Sequence, residues 1–133
     1  MRLLLDTHVV LWQLAGTRLL GPRAVAAIRA ADELAFSVVS FAEIGIKAAI
    51  GKLTVPEGLR EHIVDAGMRI LGLSAQEGLA VAGLPPHHRD PFDRLLVVQA
   101  REGGFTLVTA DARIAAYDVA VRDPLAGGRH GDE

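Results

Sequence analysis

Four acids in this chain could do chemistry together: Asp6, Glu43, Asp93 and Asp111. Asp6, Glu43 and Asp111 follow apolar, strand-like runs, and Asp93 opens a helical segment after a long loop. If those runs are strands of an open parallel sheet, right-handed crossovers carry their C-terminal ends to one edge, where such sheets hold ligands. Four carboxylates gathered there repel one another, and their pKa values rise unless a cation joins them. A divalent metal is the natural counter-charge, which points to metal-dependent hydrolysis. An all-oxygen ligand set selects a hard cation, Mg²⁺ or Mn²⁺, that keeps several of its waters.

Each acid alone has a plainer explanation. Asp6 fits a helix N-cap. Glu43 closes a capping box with Ser40 in the run Ser40-Phe41-Ala42-Glu43, and it also stands four residues before Lys47, a helical ion-pair spacing. Asp93 lies in a first helical turn, where any acid gains from the helix dipole, and Asp111 fits another cap. The specific signal is their convergence. Caps occur anywhere around a domain, whereas these four meet at one edge if the sheet is parallel. Asp93 shares a helical face with Leu96, Val97 and Ala100, and Glu43 one with Ile46 and Ile50, so both are expected to look inward, where a carboxylate needs a counter-charge.

The elements that must position them can be read from periodicity and punctuation. Leu3–Leu5 reads as a strand, Thr7–Ala15 as a helix stopped by Gly16, and Pro22 to about Ala31 as a second helix. Leu34–Val39 reads as a strand, followed by a helix from Ser40 to about Ile50 and another from about Glu57 to Ala66. Arg69–Leu73 reads as a strand, and Ser74 caps a helix to about Ala82. After the loop Leu84–Pro91 come a helix, Phe92–Glu102, a strand, Phe105–Val108, a short helix, Asp111–Tyr117, and a last strand, Val119–Val121. This alternation predicts an α/β fold: one domain over residues 1–123, with a central parallel sheet of four or five strands and helices on both faces. Residues 124–133 read as a flexible tail.

Composition narrows the function. The 133 residues suffice for one domain with a real core. A net charge of −2 gives no overall attraction for a polyanion, so local arginines or a metal must supply it. The cations are mostly Arg, with Lys only at 47 and 52. With no cysteine, disulfides and thiolate zinc sites are excluded. No signal peptide or membrane-spanning stretch is visible, and a cytoplasmic location is expected. His8 reads as a packing or solvent residue. His87 and His88 sit in a proline-bounded loop beside Arg89 and Asp90, where zinc lacks an obvious third ligand. There is no G-x-S-x-G elbow and no glycine-rich phosphate loop, which argues against a serine hydrolase, an ATPase or a nicotinamide enzyme.

Four segments, LLLDTHVVLW, SVVSFAEIGIKAAIGKL, HHRDPFDRLLVVQA and FTLVTAD, occur in this order. Together they strongly resemble the PIN-domain family, in particular the VapC-like toxins of bacterial type II toxin–antitoxin pairs, over nearly the whole chain to about Asp123. The resemblance implies a Mg²⁺- or Mn²⁺-dependent endoribonuclease in which a metal-activated water attacks an RNA phosphodiester. It sets the family's acids on Asp6, Glu43, Asp93 and Asp111, as metal ligands and catalytic groups, with Thr109 as the hydroxyl residue beside the last. Asp90 lies one turn before Asp93, as a supporting group or a ligand of metal-bound water, and Arg89 and Arg94 flank these acids, where each either meets phosphate or forms a surface salt bridge. The implied partners are the RNA substrate, a cognate VapB-like antitoxin lying over the acidic groove, and a second copy of the chain in a homodimer. Two other readings remain open at this point. One is a non-catalytic PIN module that binds RNA or protein, although a pure binder of polyanion gains nothing from a negative pocket. The other is a receiver-like phosphoacceptor domain, which would need a lysine late in the chain; none follows Lys52.

Overall fold

The structure, a computed structural model, describes residues 1–125. Five strands form one sheet: β1 (Arg2–Leu5), β2 (Glu33–Ser37), β3 (Met68–Leu71), β4 (Thr106–Val108) and β5 (Val121–Arg122). Their order is β3-β2-β1-β4-β5 and every pairing is parallel. Six α-helices connect them: α1 (Thr7–Ala15), α2 (Pro22–Ala30), α3 (Val38–Ala49), α4 (Leu59–Asp65), α5 (Ala75–Ala80) and α6 (Pro91–Gly103).

The central strand explains why helices must cover both faces. Leu3, Leu4 and Leu5 are all buried, and successive side chains of a strand point to opposite faces. Leu4 packs with Ala35, Leu107 and the α6 residues Leu96, Val97 and Ala100. Leu3 and Leu5 pack with Phe36 and Val108 against Val9 and Val10 of α1, Ile44 of α3 and Ile63 of α4. From β1 the chain adds β2 and β3 on one side, and it later returns to add β4 and β5 on the other. The order therefore reverses between β1 and β4, and the crevice beyond their C-terminal ends is where an open α/β sheet binds ligands.

The largest departure from the expected elements lies at α3. The strand β2 ends at Ser37, two residues before the expected Val39, and the helix begins at Val38. Ser37, fully buried, caps it by accepting from the Val39 N–H at 3.0 Å. Its hydroxyl also donates to Gln99 Oε1 at 2.5 Å, and Gln99 Nε2 donates to the Gly72 carbonyl at 3.0 Å. Ser40 is thus not a cap. Its hydroxyl accepts from Thr7 Oγ1 at 2.7 Å inside the protein. The face that carries Glu43 also differs from the expected one. Its buried residues are Val39, Ser40, Glu43 and Ile44, while Ile46 and Ile50 face outward. Ser37→Ala is expected to cost about 2 kcal/mol, because it removes a cap and leaves the buried Gln99 carbonyl oxygen unsatisfied. Urea denaturation checks this; a loss below about 0.5 kcal/mol would show that the network is not needed.

Other boundaries shift less. The expected cap at Ser74 is present, as a capping box with Glu77. The expected helix at Asp111–Tyr117 is instead a turn followed by a short 3₁₀ segment, Ile114–Ala116. The last strand begins at Val121 rather than Val119. Pro124, expected to begin a flexible tail, is buried and its carbonyl accepts from the Gly21 N–H at 2.8 Å. The remainder of that expected tail, residues 126–133, lies outside the described residues.

Candidate metal-binding active site

Asp6 leaves β1 at the point where the strand order reverses. Its N–H donates to the Val108 carbonyl at 3.0 Å, tying the end of β1 to the end of β4. It occupies the N-cap position of α1, yet its side chain makes no capping bond. Oδ2 accepts instead from the Thr109 hydroxyl at 2.9 Å, and Oδ1 is buried without a hydrogen-bond partner. His8 Nδ1 stands 3.8 Å from Oδ1, beyond hydrogen-bonding reach, and the interaction with Asp6 raises the His8 pKa.

Glu43 repeats the pattern from the second turn of α3. It is 1% exposed. Oε2 accepts from Lys47 Nζ at 2.6 Å, the expected i,i+4 pair, while Oε1 is buried with no partner. In both acids the protein fixes one oxygen and leaves the other unsatisfied. A buried, unpartnered carboxylate oxygen is costly, and a cation is what relieves it.

Asp93 sits on the first turn of α6 and is 7% exposed. Burial, then the charges of Asp6 and Asp90, push its pKa up to about 7, with Glu43 adding to the shift and His88 opposing it. The charges of Asp6 and Glu43 are thus felt at Asp93. Asp90 is engaged locally. It is the N-cap of α6, and its Oδ1 accepts from the N–H groups of Phe92 and Asp93 at 2.8 and 3.1 Å. Its clearest role is to start the helix that presents Asp93.

Asp111 departs from the expected pattern. Burial disfavours its charged form, but the bonds from Arg113 and His88 outweigh that and hold its pKa at about 2. Oδ1 accepts from the Arg113 backbone N–H at 2.9 Å and from Arg113 Nε at 3.2 Å. Oδ2 accepts from His88 Nε2 at 2.7 Å and from Arg113 Nη2 at 3.2 Å. Thr109 Oγ1 accepts from the Asp111 N–H at 3.2 Å while donating to Asp6, so one hydroxyl links both strand ends.

His88 and Arg113 are the site residues that sequence reasoning missed. His88 is 4% exposed, and its Nε2 lies 3.1 Å from Asp93 Oδ2 as well as beside Asp111. These three residues offer ligand atoms within 4.8 Å of one another. Even so, His88 Nδ1 accepts from the Asp90 N–H at 3.0 Å, which places the ring proton on Nε2. His88 thus faces both acids as a donor rather than with a free lone pair, which leaves the carboxylate oxygens as the candidate ligands. The signal available in the sequence was the position of His88 just ahead of the Asp90-Pro91 cap, which fixes the loop against α6.

The two arginines expected at phosphate are placed differently. Arg94 is turned into the protein. Its guanidinium donates to the carbonyls of Val81, Leu84, Pro85 and His88 at 3.1–3.3 Å and to the Tyr117 hydroxyl at 3.3 Å. Those partners occupy both Nη groups. Arg89 is exposed and has no ion pair among the described residues.

A doubly wound parallel sheet with buried acids at its reversal point is the architecture of a PIN domain. The PIN domain model matches residues 3–120, and the chain belongs to that family. This sets aside the receiver-like reading. The chain is 34% identical over 122 residues to "Ribonuclease VapC22" of Mycobacterium tuberculosis (strain ATCC 25618 / H37Rv), covering 86% of this chain and 90% of that protein. Among solved structures, VapBC2 from Rickettsia felis bound to a promoter DNA fragment matches with a TM-score of 0.67 at 15% identity, over 92% of this chain and 98% of that one. DNA-bound VapBC from Salmonella typhimurium matches with a TM-score of 0.65 at 16% identity, over 92% and 98%. At such identities the structural likeness shows the fold alone. Among the described residues no helix is long and apolar enough to cross a membrane.

Proposed function

We propose that this protein is a metal-dependent endoribonuclease, the toxin of a type II toxin–antitoxin pair. The observation that carries this reading is the pair of buried, unpartnered oxygens, Asp6 Oδ1 and Glu43 Oε1, beside an Asp93 raised to about 7. Three inward acids without enough counter-charge fit a divalent cation and are hard to explain otherwise. Their all-oxygen chemistry suits Mg²⁺ or Mn²⁺. The likeness to a protein named a ribonuclease supports RNA as the substrate, and the VapBC neighbours support a VapB-like antitoxin as partner. A homodimer and a cytoplasmic location complete the proposal.

When bound, a divalent ion supplies Lewis acidity: it draws charge from a phosphate oxygen and makes water a stronger nucleophile near neutral pH. The chain's own residues do the rest. Asp6, Glu43 and Asp93 would hold the ion. Thr109 fixes the Asp6 carboxylate through Oδ2 and Lys47 fixes Glu43 through Oε2, so each unpartnered oxygen is presented without conformational search. Asp90 sets the start of α6 and with it the position of Asp93. No side-chain nucleophile is required.

The test is cleavage of total RNA by antitoxin-free protein with Mg²⁺, Mn²⁺ or EDTA. EDTA is expected to abolish cleavage, and added Mg²⁺ or Mn²⁺ to restore it. Metal-independent cleavage that survives Asp6→Asn would remove the metal mechanism. Metal-independent binding of RNA without cleavage would favour a non-catalytic module.

A further inference from the structure

Asp111 and the unpartnered acids contrast sharply. A carboxylate offers about four acceptor positions. At Asp111 all four are taken, two by Arg113 on Oδ1 and one each by His88 and Arg113 on Oδ2. A cation could bind there only by displacing bonds already made, whereas Asp6 Oδ1 and Glu43 Oε1 accept one at no such cost. Arg113 in turn is held side-on through Nε and Nη2, with its backbone N–H gripping the same carboxylate. Its side chain is 66% exposed. Two of the five guanidinium N–H groups face Asp111. The other three have no partner among the described residues.

Two of the other cations near Asp93 are already engaged, and Arg89, exposed with no ion pair among the described residues, has nothing that fixes its orientation. Lys47 is bonded to Glu43. Arg94 is bound to backbone carbonyls. Arg113 bonds Asp111, whose carboxylate offers an oxygen within 4.8 Å of ligand atoms on Asp93 and His88, so its guanidinium stands at the edge of the same site. An exposed guanidinium with outward N–H groups, fixed in orientation beside a metal site, is suited to a phosphate.

We propose that Arg113 binds a phosphate of the RNA backbone at the mouth of the site, and that Asp111 holds Arg113 and His88 in place rather than binding the metal. This rests on the nuclease reading above and assigns the substrate contact within it. Asp111 is then a positioning residue.

The experiment uses the full chain with Arg113→Ala, Asp111→Asn and the double variant. Mn²⁺ affinity is read by calorimetry. The KM for a short RNA that the wild type cleaves is measured at several salt concentrations. Arg113→Ala is expected to raise KM about tenfold and to lower the salt slope of log affinity by about 0.7, one phosphate on a single strand. Its Mn²⁺ affinity is expected to stay within about twofold of wild type, because no ligand is lost. Asp111→Asn is expected to behave alike, and the double variant to be no worse than either single one, as for residues acting as a unit. A tenfold or greater loss of Mn²⁺ affinity in Asp111→Asn would make that acid a ligand and overturn the assignment. A wild-type salt slope in Arg113→Ala would overturn the phosphate contact while leaving the nuclease intact. A wild type that neither binds nor cleaves RNA would instead remove the nuclease reading, and this assignment with it.

Discussion

Asp93→Asn is expected to lose RNA cleavage by about 10³-fold or more while becoming more stable than the wild type in the absence of metal. The first effect follows from losing a ligand charge, worth roughly 4 kcal/mol at the transition state. The second follows from linkage. In the folded, metal-free protein the Asp93 pKa is raised to about 7, chiefly by burial and by Asp6. In the unfolded chain it returns to about 3.9. A raised folded pKa means that the group costs nothing below about pH 4, that its penalty grows between about pH 4 and 7, and that the penalty is complete above. Asn removes it. Counting only part of that shift, the gain at pH 8 is on the order of 2 kcal/mol, and it should vanish near pH 4. Added Mg²⁺ should stabilise the wild type and not the variant. Urea denaturation at the two pH values, with and without Mg²⁺, checks each part. A variant no more stable than wild type at pH 8 would mean that Asp93 is not under electrostatic strain, and would remove the main physical argument for a cation there.

Arg94→Ala is expected to destabilise the protein by about 3 kcal/mol or more, and Arg94→Lys to recover less than half of that. One guanidinium gathers four carbonyls of the segment between α5 and α6 and the Tyr117 hydroxyl. Hydrogen bonds from a charged donor are stronger than neutral ones, and partly buried carbonyls left without donors cost more still. A lysine carries one compact donor group and cannot span those directions. The same segment carries His88, whose N–H donates to Tyr117 Oη at 2.9 Å. Loss of Arg94 should therefore loosen the donor that Asp93 and Asp111 share, and reduce cleavage indirectly. Urea denaturation and amide exchange over residues 84–90 measure this. If both variants kept wild-type stability and only KM rose, Arg94 would be a phosphate contact after all.

Much of the architecture was legible before any coordinates. Leu3–Leu5 and Phe105–Val108 are short apolar runs that only strands buried on both faces explain, and the helices between them carry their own stops at Gly16 and Gly104, each in a left-handed conformation. The alternation of the two element types fixes parallel crossovers, and parallel crossovers bring strand ends to one edge. That is why Asp6 and Asp93 could be placed together from sequence. The start of α3 could not, because Ser37 and Ser40 are both plausible caps by local pattern. The choice falls to Ser37 through Gln99, a partner 62 positions away.

What the sequence by itself determined is the parallel α/β frame and the candidate acids along it, because hydrophobic period and helix punctuation are local properties of the chain. Only the tertiary structure decided which acids are left without partners. Thr109 satisfies one oxygen of Asp6 across 103 positions and Lys47 one of Glu43, while His88 and Arg113 close around Asp111. It likewise turned Arg94 inward and left Arg113 outward. The physical reason is that hydrogen-bond satisfaction depends on which donors the folded chain brings within about 3 Å, and spacing along the sequence does not encode that distance.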